Sequence, residues 1–340
     1  MKRVSLFLVL LSFVSSCVKD KPLSPSQEVH LSNAKKVYVV NEGNYGSGNA
    51  SVSLFDPGTG EVVEDYFKSR NNTYVGDVAQ SLCRINGNYY LVVNNSKKIL
   101  VCKEDFSKAG QINGLNSPRY ILQISNQKAY VSDLYANGVS VINLNTNTKS
   151  GSIPCKGKTE RMLMLYNKVF VTNTESPYLY VINSVKDAVE DSIYVGTWAS
   201  SIVSDKNDKV WVLSGGESPH SVGRLSRVDP INNKVEAFFD FKMGDFPSNL
   251  CINKTRDSLY YLNSGICRFL VDDLNLPDKA LIEGGTKNFY GLDINPNDYR
   301  IYAADALLFT ERSNIYVFDV FGKQKNLFKA GINSNGFYFE

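Results

Sequence analysis

Chemistry has few places to reside in this chain. Of its two histidines, His30 precedes the first strand-like phrase, which leaves His220 alone within Glu217-Ser218-Pro219-His220-Ser221. No serine-nucleophile motif accompanies it, and it reads as a solvated loop residue able to touch a ligand. A multi-histidine metal centre is excluded, and no C-x-x-C pair offers thiolate ligands. The carboxylates Glu42, Asp77, Glu160 and Glu175 remain for acid–base work, which would need a set separation that sequence does not supply. We therefore expect no catalytic residue, no metal and no cofactor. The chain does hold 38 Phe and Tyr residues and 34 Asn among its 340 residues. Rings give contact area at low entropic cost, and neutral amides both donate and accept. Such a mixture suits non-covalent capture of a flat or amide-rich molecule.

Something must bring these groups together, and internal repetition supplies it. An apolar–aromatic–apolar phrase ending in Asn, Asp or Ser begins as Val37-Tyr38-Val39-Val40-Asn41. It returns around Tyr90, Tyr130, Phe170, Trp211, Tyr260 and Tyr302. Seven copies at roughly 40–50-residue spacing match the blades of a β-propeller. Behind most copies comes a second strand phrase ending in an Asp or Asn turn, such as 51–56 and 225–230, then a short outer strand, as at 61–67 and 234–241. Ahead of the copies lie innermost strands at 79–85, 119–124, 161–166, 200–204, 248–252 and 290–294. The first copy lacks one. The missing strand stands at the far end, 333–339, so the C-terminus is expected to enter the first blade and close the ring. The fold class is all-β, a seven-bladed propeller filling residues 35–340.

Taking the strands of a blade as A to D from axis to rim, the D–A and B–C connections share one face. Sorting by blade position gathers Asn44, Tyr45, Asp77, Gln80, Arg119, Tyr135, Arg161, Trp198, His220, Phe246, Phe289 and Tyr290 around that mouth as ligand-binding candidates. The opposite face receives tight turns such as Asn86-Gly87, Ser125-Asn126 and Tyr166-Asn167. Asp133, Asn173 and Asp305 end equivalent strands and are expected to cap them by hydrogen bonds.

The N-terminus carries an address. Lys2 and Arg3 precede an apolar run at 4–14, too short to span a bilayer but suited to a secretory signal. Ser15 and Ser16 then precede Cys17 in the manner of a bacterial lipobox. Residues 1–16 are expected to be a signal peptide, Cys17 a lipidated residue, and 17–34 a flexible tether holding the protein at a membrane surface. The formal charge of +3 falls to about +1 once Lys2 and Arg3 are removed, too little for nucleic acid. Cys83, Cys102, Cys155, Cys251 and Cys267 remain, an odd number that cannot all pair. Buried thiols are expected.

The lipobox-like start, the stretch Asn41-Glu42-Gly43-Asn44-Tyr45-Gly46-Ser47-Gly48-Asn49 and the seven repeats resemble the YncE-like surface propellers of Bacteroides-type bacteria, which include the BtuG-type cobalamin-binding lipoproteins. The resemblance implies an outer-membrane lipoprotein facing the cell exterior. It would bind a scarce nutrient, cobalamin or a related corrinoid first, and pass it to a TonB-dependent transporter. Two other readings stay open: a protein-interaction or surface-layer module, and, with least support, a lyase or quinoprotein-type enzyme.

Overall fold

A computed structural model describes residues 36–340. The expected signal peptide, Cys17 and the tether lie outside the described residues. Seven four-stranded antiparallel sheets follow one another around a ring. The seven aromatic phrases form the B strands: Val37–Asn41, Asn88–Val93, Lys128–Asp133, Lys168–Asn173, Val210–Ser214, Ser258–Leu262 and Ile301–Asp305. Blades stack face to face, so both sides of a B strand are covered and its phrase is apolar throughout. Tyr38, Tyr130, Phe170, Trp211 and Tyr302 are all buried. Outer strands lie half in solvent and alternate instead, as Lys234–Asp240 does residue by residue.

The innermost strands are Ser334–Phe339 in blade 1, then Ala79–Ile85, Pro118–Gln123, Thr159–Leu165, Ala199–Ser204, Ser248–Ile252 and Phe289–Ile294. Each touches the next around the ring, and the strand of blade 7 touches that of blade 1. Closure occurs as expected. Val37 pairs with Phe339 and Tyr38 with Tyr338, while the Glu42 and Gly43 amides donate to the Asn333 and Ile332 carbonyls at 3.0 Å. Two open sheet edges are thereby removed.

One outer strand departs from the pattern. Residues 61–67 were expected to be extended, but only Val62–Val63 pairs, and Tyr66–Asn71 forms a short helix. Phe67 is fully buried on this helix, and Phe67 and Tyr66 pack on the aromatic cluster of Tyr38, Tyr89 and Phe106. The Asn71 side chain donates to the Phe67 and Phe106 carbonyls. Burying two rings on one side suits a helical turn, whereas an extended strand would send them to opposite faces. All five cysteines of the described residues are free, four of them buried and Cys83 half-buried. Burial pushes the Cys102 and Cys155 thiols up to about 12, which leaves them as small apolar side chains.

Candidate functional site

The loop-bearing face is tied down by the B-strand ends. The Asp133 carboxylate accepts from the Asn116 and Ser117 amides at 2.9 and 2.8 Å and from Tyr135 at 2.9 Å, joining a D–A to a B–C connection. Asp305 does the same with Asn288 and Leu307, while Asn173 Oδ1 accepts from the Glu175 and Ser176 amides and its Nδ2 donates to the Lys156 carbonyl at 2.9 Å. These residues cap strands, as expected.

Every innermost strand enters this face with a β-bulge. Ala79 pairs with Val93 but Ser81 with Val92, and the six other blades each carry one extra inner-strand residue at the same place. A bulge re-aims the side chain it displaces. The second residue of each inner strand reads Asn335, Gln80, Arg119, Glu160, Ser200, Asn249 and Tyr290, blade by blade. All seven are polar or carry a polar tip.

Six of these ring positions are linked. The Asn249 amide donates to the Tyr290 carbonyl, and the Tyr290 hydroxyl donates to Glu42 Oε2 at 2.8 Å. Asn335 Nδ2 donates to Glu42 Oε1 at 2.8 Å and to the Gln80 carbonyl at 3.0 Å. Gln80 Oε1 accepts from Arg119, whose fork closes on Glu160 at 2.6 to 3.0 Å. Burial raises the Glu42 carboxyl above its ordinary range, with Tyr290, Arg119 and Asn335 pulling it back. Around Tyr290, burial and the neighbouring Glu42 carboxylate push the phenol up. The four carboxylates named from the sequence each take other partners. Glu160 serves Arg119, Glu42 serves Tyr290 and Asn335, Asp77 accepts from the Gly46 amide and Asn95, and Glu175 lies 3.8 Å from Lys158.

Ser200 of blade 5 takes no part in this network. At that gap lies a pocket of about 420 Å³ lined by Trp198, Phe246, Pro247, Ser200, Gly215 and Glu217. Trp198 is 57% and Phe246 62% exposed, although both are large apolar side chains. Trp198 also holds φ +61, a left-handed conformation that a bulky residue adopts at a cost of roughly 1–3 kcal/mol. Its carbonyl accepts from the Gly215 amide at 3.0 Å. A Cβ on Gly215 would come within 3.4 Å of the Trp198 ring.

The candidates therefore divide. Gln80, Arg119 and Tyr290 sit in the axial ring, and Trp198 and Phe246 in the pocket. Tyr45 and Tyr135 stand exposed on the B–C loops of blades 1 and 3. Asn44 and Asp77 brace the first loop: Asn44 donates to the Phe309 carbonyl at 2.6 Å. His220 is exposed on the 217–221 turn, outside the pocket lining. Phe289 packs edge-on to Tyr316 against the core between blades 6 and 7, because its side chain precedes the bulge. Arg161 follows Glu160 and stacks over Tyr120 at 4.5 Å. The ligand-binding candidates omitted Glu160, Ser200, Asn249 and Asn335, although aligning the second residue of every inner strand exposes an unbroken polar column; Glu42, named like Glu160 only as a carboxylate, follows the first B strand.

A family model described as a domain of unknown function (DUF5074) matches residues 35–340. The chain belongs to this family. No curated protein matches it. Among solved structures, a quinonprotein alcohol dehydrogenase-like protein from Bacteroides thetaiotaomicron is 14% identical, with a TM-score of 0.69 over 90% of this chain and 78% of that one. A candidate 6-phosphogluconolactonase from Bacteroides fragilis is 14% identical, with a TM-score of 0.68 over 92% and 100%. The periplasmic gluconolactonase PpgL of Pseudomonas aeruginosa is 12% identical, with a TM-score of 0.66 over 89% and 99%. At such identities the likeness is one of fold. Among the described residues, no three His, Cys, Asp or Glu side chains are grouped to hold a metal ion, and no helix is long and apolar enough to cross a membrane.

Proposed function

We propose that this DUF5074 protein captures a small molecule non-covalently on its loop-bearing face. One observation carries the reading: the single break in the hydrogen-bonded axial ring coincides with the pocket under the exposed Trp198 and Phe246. A linked ring presents fixed donors and acceptors, and an aromatic pocket beside it takes a flat apolar surface. A corrinoid, whose macrocycle is edged with neutral amide arms, matches both halves and is the first ligand to test. With the lipobox-like Cys17, the reading extends to a lipid-anchored protein of the outer membrane that delivers its ligand to a TonB-dependent transporter. Tyr45, 81% exposed on the long first loop, favours one second reading, in which the face grips a partner protein.

Calorimetry against cyanocobalamin, with a panel of oligosaccharides beside it, tests the proposal. Binding by the corrinoid that weakens at least tenfold in Trp198→Ala and Phe246→Ala supports it. Unchanged affinity in both variants places the site elsewhere, and the absence of heat with every corrinoid removes this ligand class.

A further inference from the structure

Blade 6 carries an excursion at its rim that its neighbours lack. Blades 3, 4 and 5 turn from third to fourth strand through residues 144–147, 184–187 and 230–233, whereas blade 6 runs through 271–281 between Gly265–Leu270 and Ile282–Glu283. Long connections on a rigid scaffold are where binding groups are usually carried. Gly265 lets the returning chain lie close: a Cβ there would meet the Ile282 carbonyl at 2.5 Å and the Ala280 side chain at 3.1 Å. Leu276 to Ala280 of the excursion, residues of the 240–245 segment leaving blade 5, and Tyr261, Asn263 and Cys267 of blade 6 enclose a cavity of about 340 Å³. The connection from blade 5 goes on to lend Phe246 and Pro247 to the pocket under Trp198, but the two cavities share no lining residue.

The depth of this cavity is aromatic and its opening is charged. Phe241 and Tyr261 meet edge-on, with ring centroids 5.5 Å apart. Tyr261 is 1% exposed, and its hydroxyl bonds no nitrogen or oxygen among the described residues. Beside it stands only the Cys267 thiol, a weak partner that sends its own proton to the Asn263 carbonyl at 3.8 Å. Burial pushes that thiol up to about 11, so it is a neutral wall and not a nucleophile. A buried hydroxyl with so poor a partner is costly unless an occupant of the cavity bonds it. At the opening, Asp240 is held by Arg224 at 2.6 Å, and Asp245 accepts from the Lys242 amide at 3.2 Å. The charged groups of Lys242, Lys279, Asp278 and Glu283 form no ion pair and no hydrogen bond among the described residues, although both signs are present. An anion would satisfy the lysines and face the carboxylates, and a cation the reverse. A hydroxyl both donates and accepts, so a neutral polyol serves both signs while its C–H face lies on the rings. We propose that this cavity takes a single sugar ring, seated toward Phe241 and Tyr261, with its hydroxyls shared among Tyr261, Lys279 and Glu283. Its volume suits so small a ligand, being at the lower end of the roughly 300–1,000 Å³ of ligand pockets. The site is separate from the ligand mouth and does not rest on that reading.

The test is a ligand-observed NMR titration of the full-length protein with glucose, galactose and mannose, with glucosamine and glucuronate as charged counterparts. The site requires that at least one neutral hexose bind, that Tyr261→Phe and Glu283→Gln each weaken it roughly fivefold or more, and that Trp198→Ala leave it unchanged. Tyr261→Phe keeps the ring and removes one oxygen, and Glu283 is exposed, so both variants should melt like the parent and a loss of binding cannot be ascribed to unfolding. A hexose lost in Trp198→Ala but retained in Tyr261→Phe sits in the aromatic pocket and overturns the proposal. Glucosamine binding no more tightly than ethanolamine, with the neutral hexoses silent, would replace the sugar site with an amine site. Binding of glucuronate alone would replace it with an anion site. No binding by any of the five sugars removes the inference, whatever cyanocobalamin does at the mouth.

Discussion

The two faces of this disc are built from the same seven repeats and end up chemically unlike. On the turn-bearing face, the A–B connections of blades 2 and 4 are two-residue turns, in which Asn86 and Gly87, or Tyr166 and Asn167, take positive φ in succession and return the chain at once. On the loop-bearing face, the B–C connections of blades 1 and 5 run to nine residues, strand ends are capped by Asp133, Asn173 and Asp305, and every inner strand is bulged. Exposed rings also gather there, with Tyr45, Tyr135, Trp198 and Phe246 on its connections. A repeat fixes where a strand turns, while the length of the turn decides whether a face carries side chains for a ligand. Function is thus a property of connections, and stability one of the strands beneath them.

The comparison depends first on ring closure. Removing residues 333–340 deletes the inner strand of blade 1, exposes an edge of its sheet, and takes Asn335 from the axial network. We expect loss of cooperative folding, seen as an abolished thermal transition in circular dichroism. A truncated chain that melts like the parent would mean that neither face needs a closed ring. Next in size is Arg119→Ala. Glu160 is only 7% exposed and loses its partner, and stripping one member from a buried pair costs roughly 3–5 kcal/mol. Chemical denaturation reads the difference. Arg84→Ala toward the other end of the blade 2 inner strand, where Glu104 is 78% exposed, is expected to change stability by less than about 1 kcal/mol.

Asp293→Asn works in the opposite direction. Burial lifts the Asp293 carboxyl to about 6, so the folded state holds this proton more tightly than the unfolded chain does. Stability is therefore lost as pH rises from about 4 through 6. The variant escapes that loss, gaining up to about 3 kcal/mol at pH 7–8 and nothing below pH 4. Denaturation midpoints across that range check it. A gain that persists at pH 3 would assign the effect to packing.

Much of this was legible in the sequence because strands repeat. Val37-Tyr38-Val39-Val40-Asn41 and its copies announce the B strands, and the unpaired phrase at 333–339 announces closure. Residues 61–67 misled because Tyr66 and Phe67 are as frequent in strands as in a short amphipathic helix, and only the aromatic cluster of Tyr38, Tyr89 and Phe106 decides between them. In the site, Gln80, Arg119, Trp198, Phe246 and Tyr290 were found by blade position. Phe289 was misplaced because a bulge between it and Gly291 determines which side chain reaches the axis, and its signature, a polar second residue, shows only once all seven inner strands are aligned.

The finest test sets one residue of each face against the other. Trp198 on the loop-bearing face and Tyr166 on the turn-bearing face both hold left-handed backbone, at φ +61 and +52, and both rings are more than half exposed. Glycine adopts that conformation without strain, although it also loosens the unfolded chain. Trp198→Gly and Tyr166→Gly should therefore shift stability alike, each by about 1 kcal/mol or less. Their effect on ligand should diverge: affinity for the mouth ligand falls at least tenfold in Trp198→Gly and is unchanged in Tyr166→Gly. If the Trp198 geometry only closes a loop, the two variants will match in binding as they do in stability. Divergence in binding alone shows that the Trp198 ring serves the ligand, and that the Tyr166 ring, on the same backbone geometry across the disc, does not.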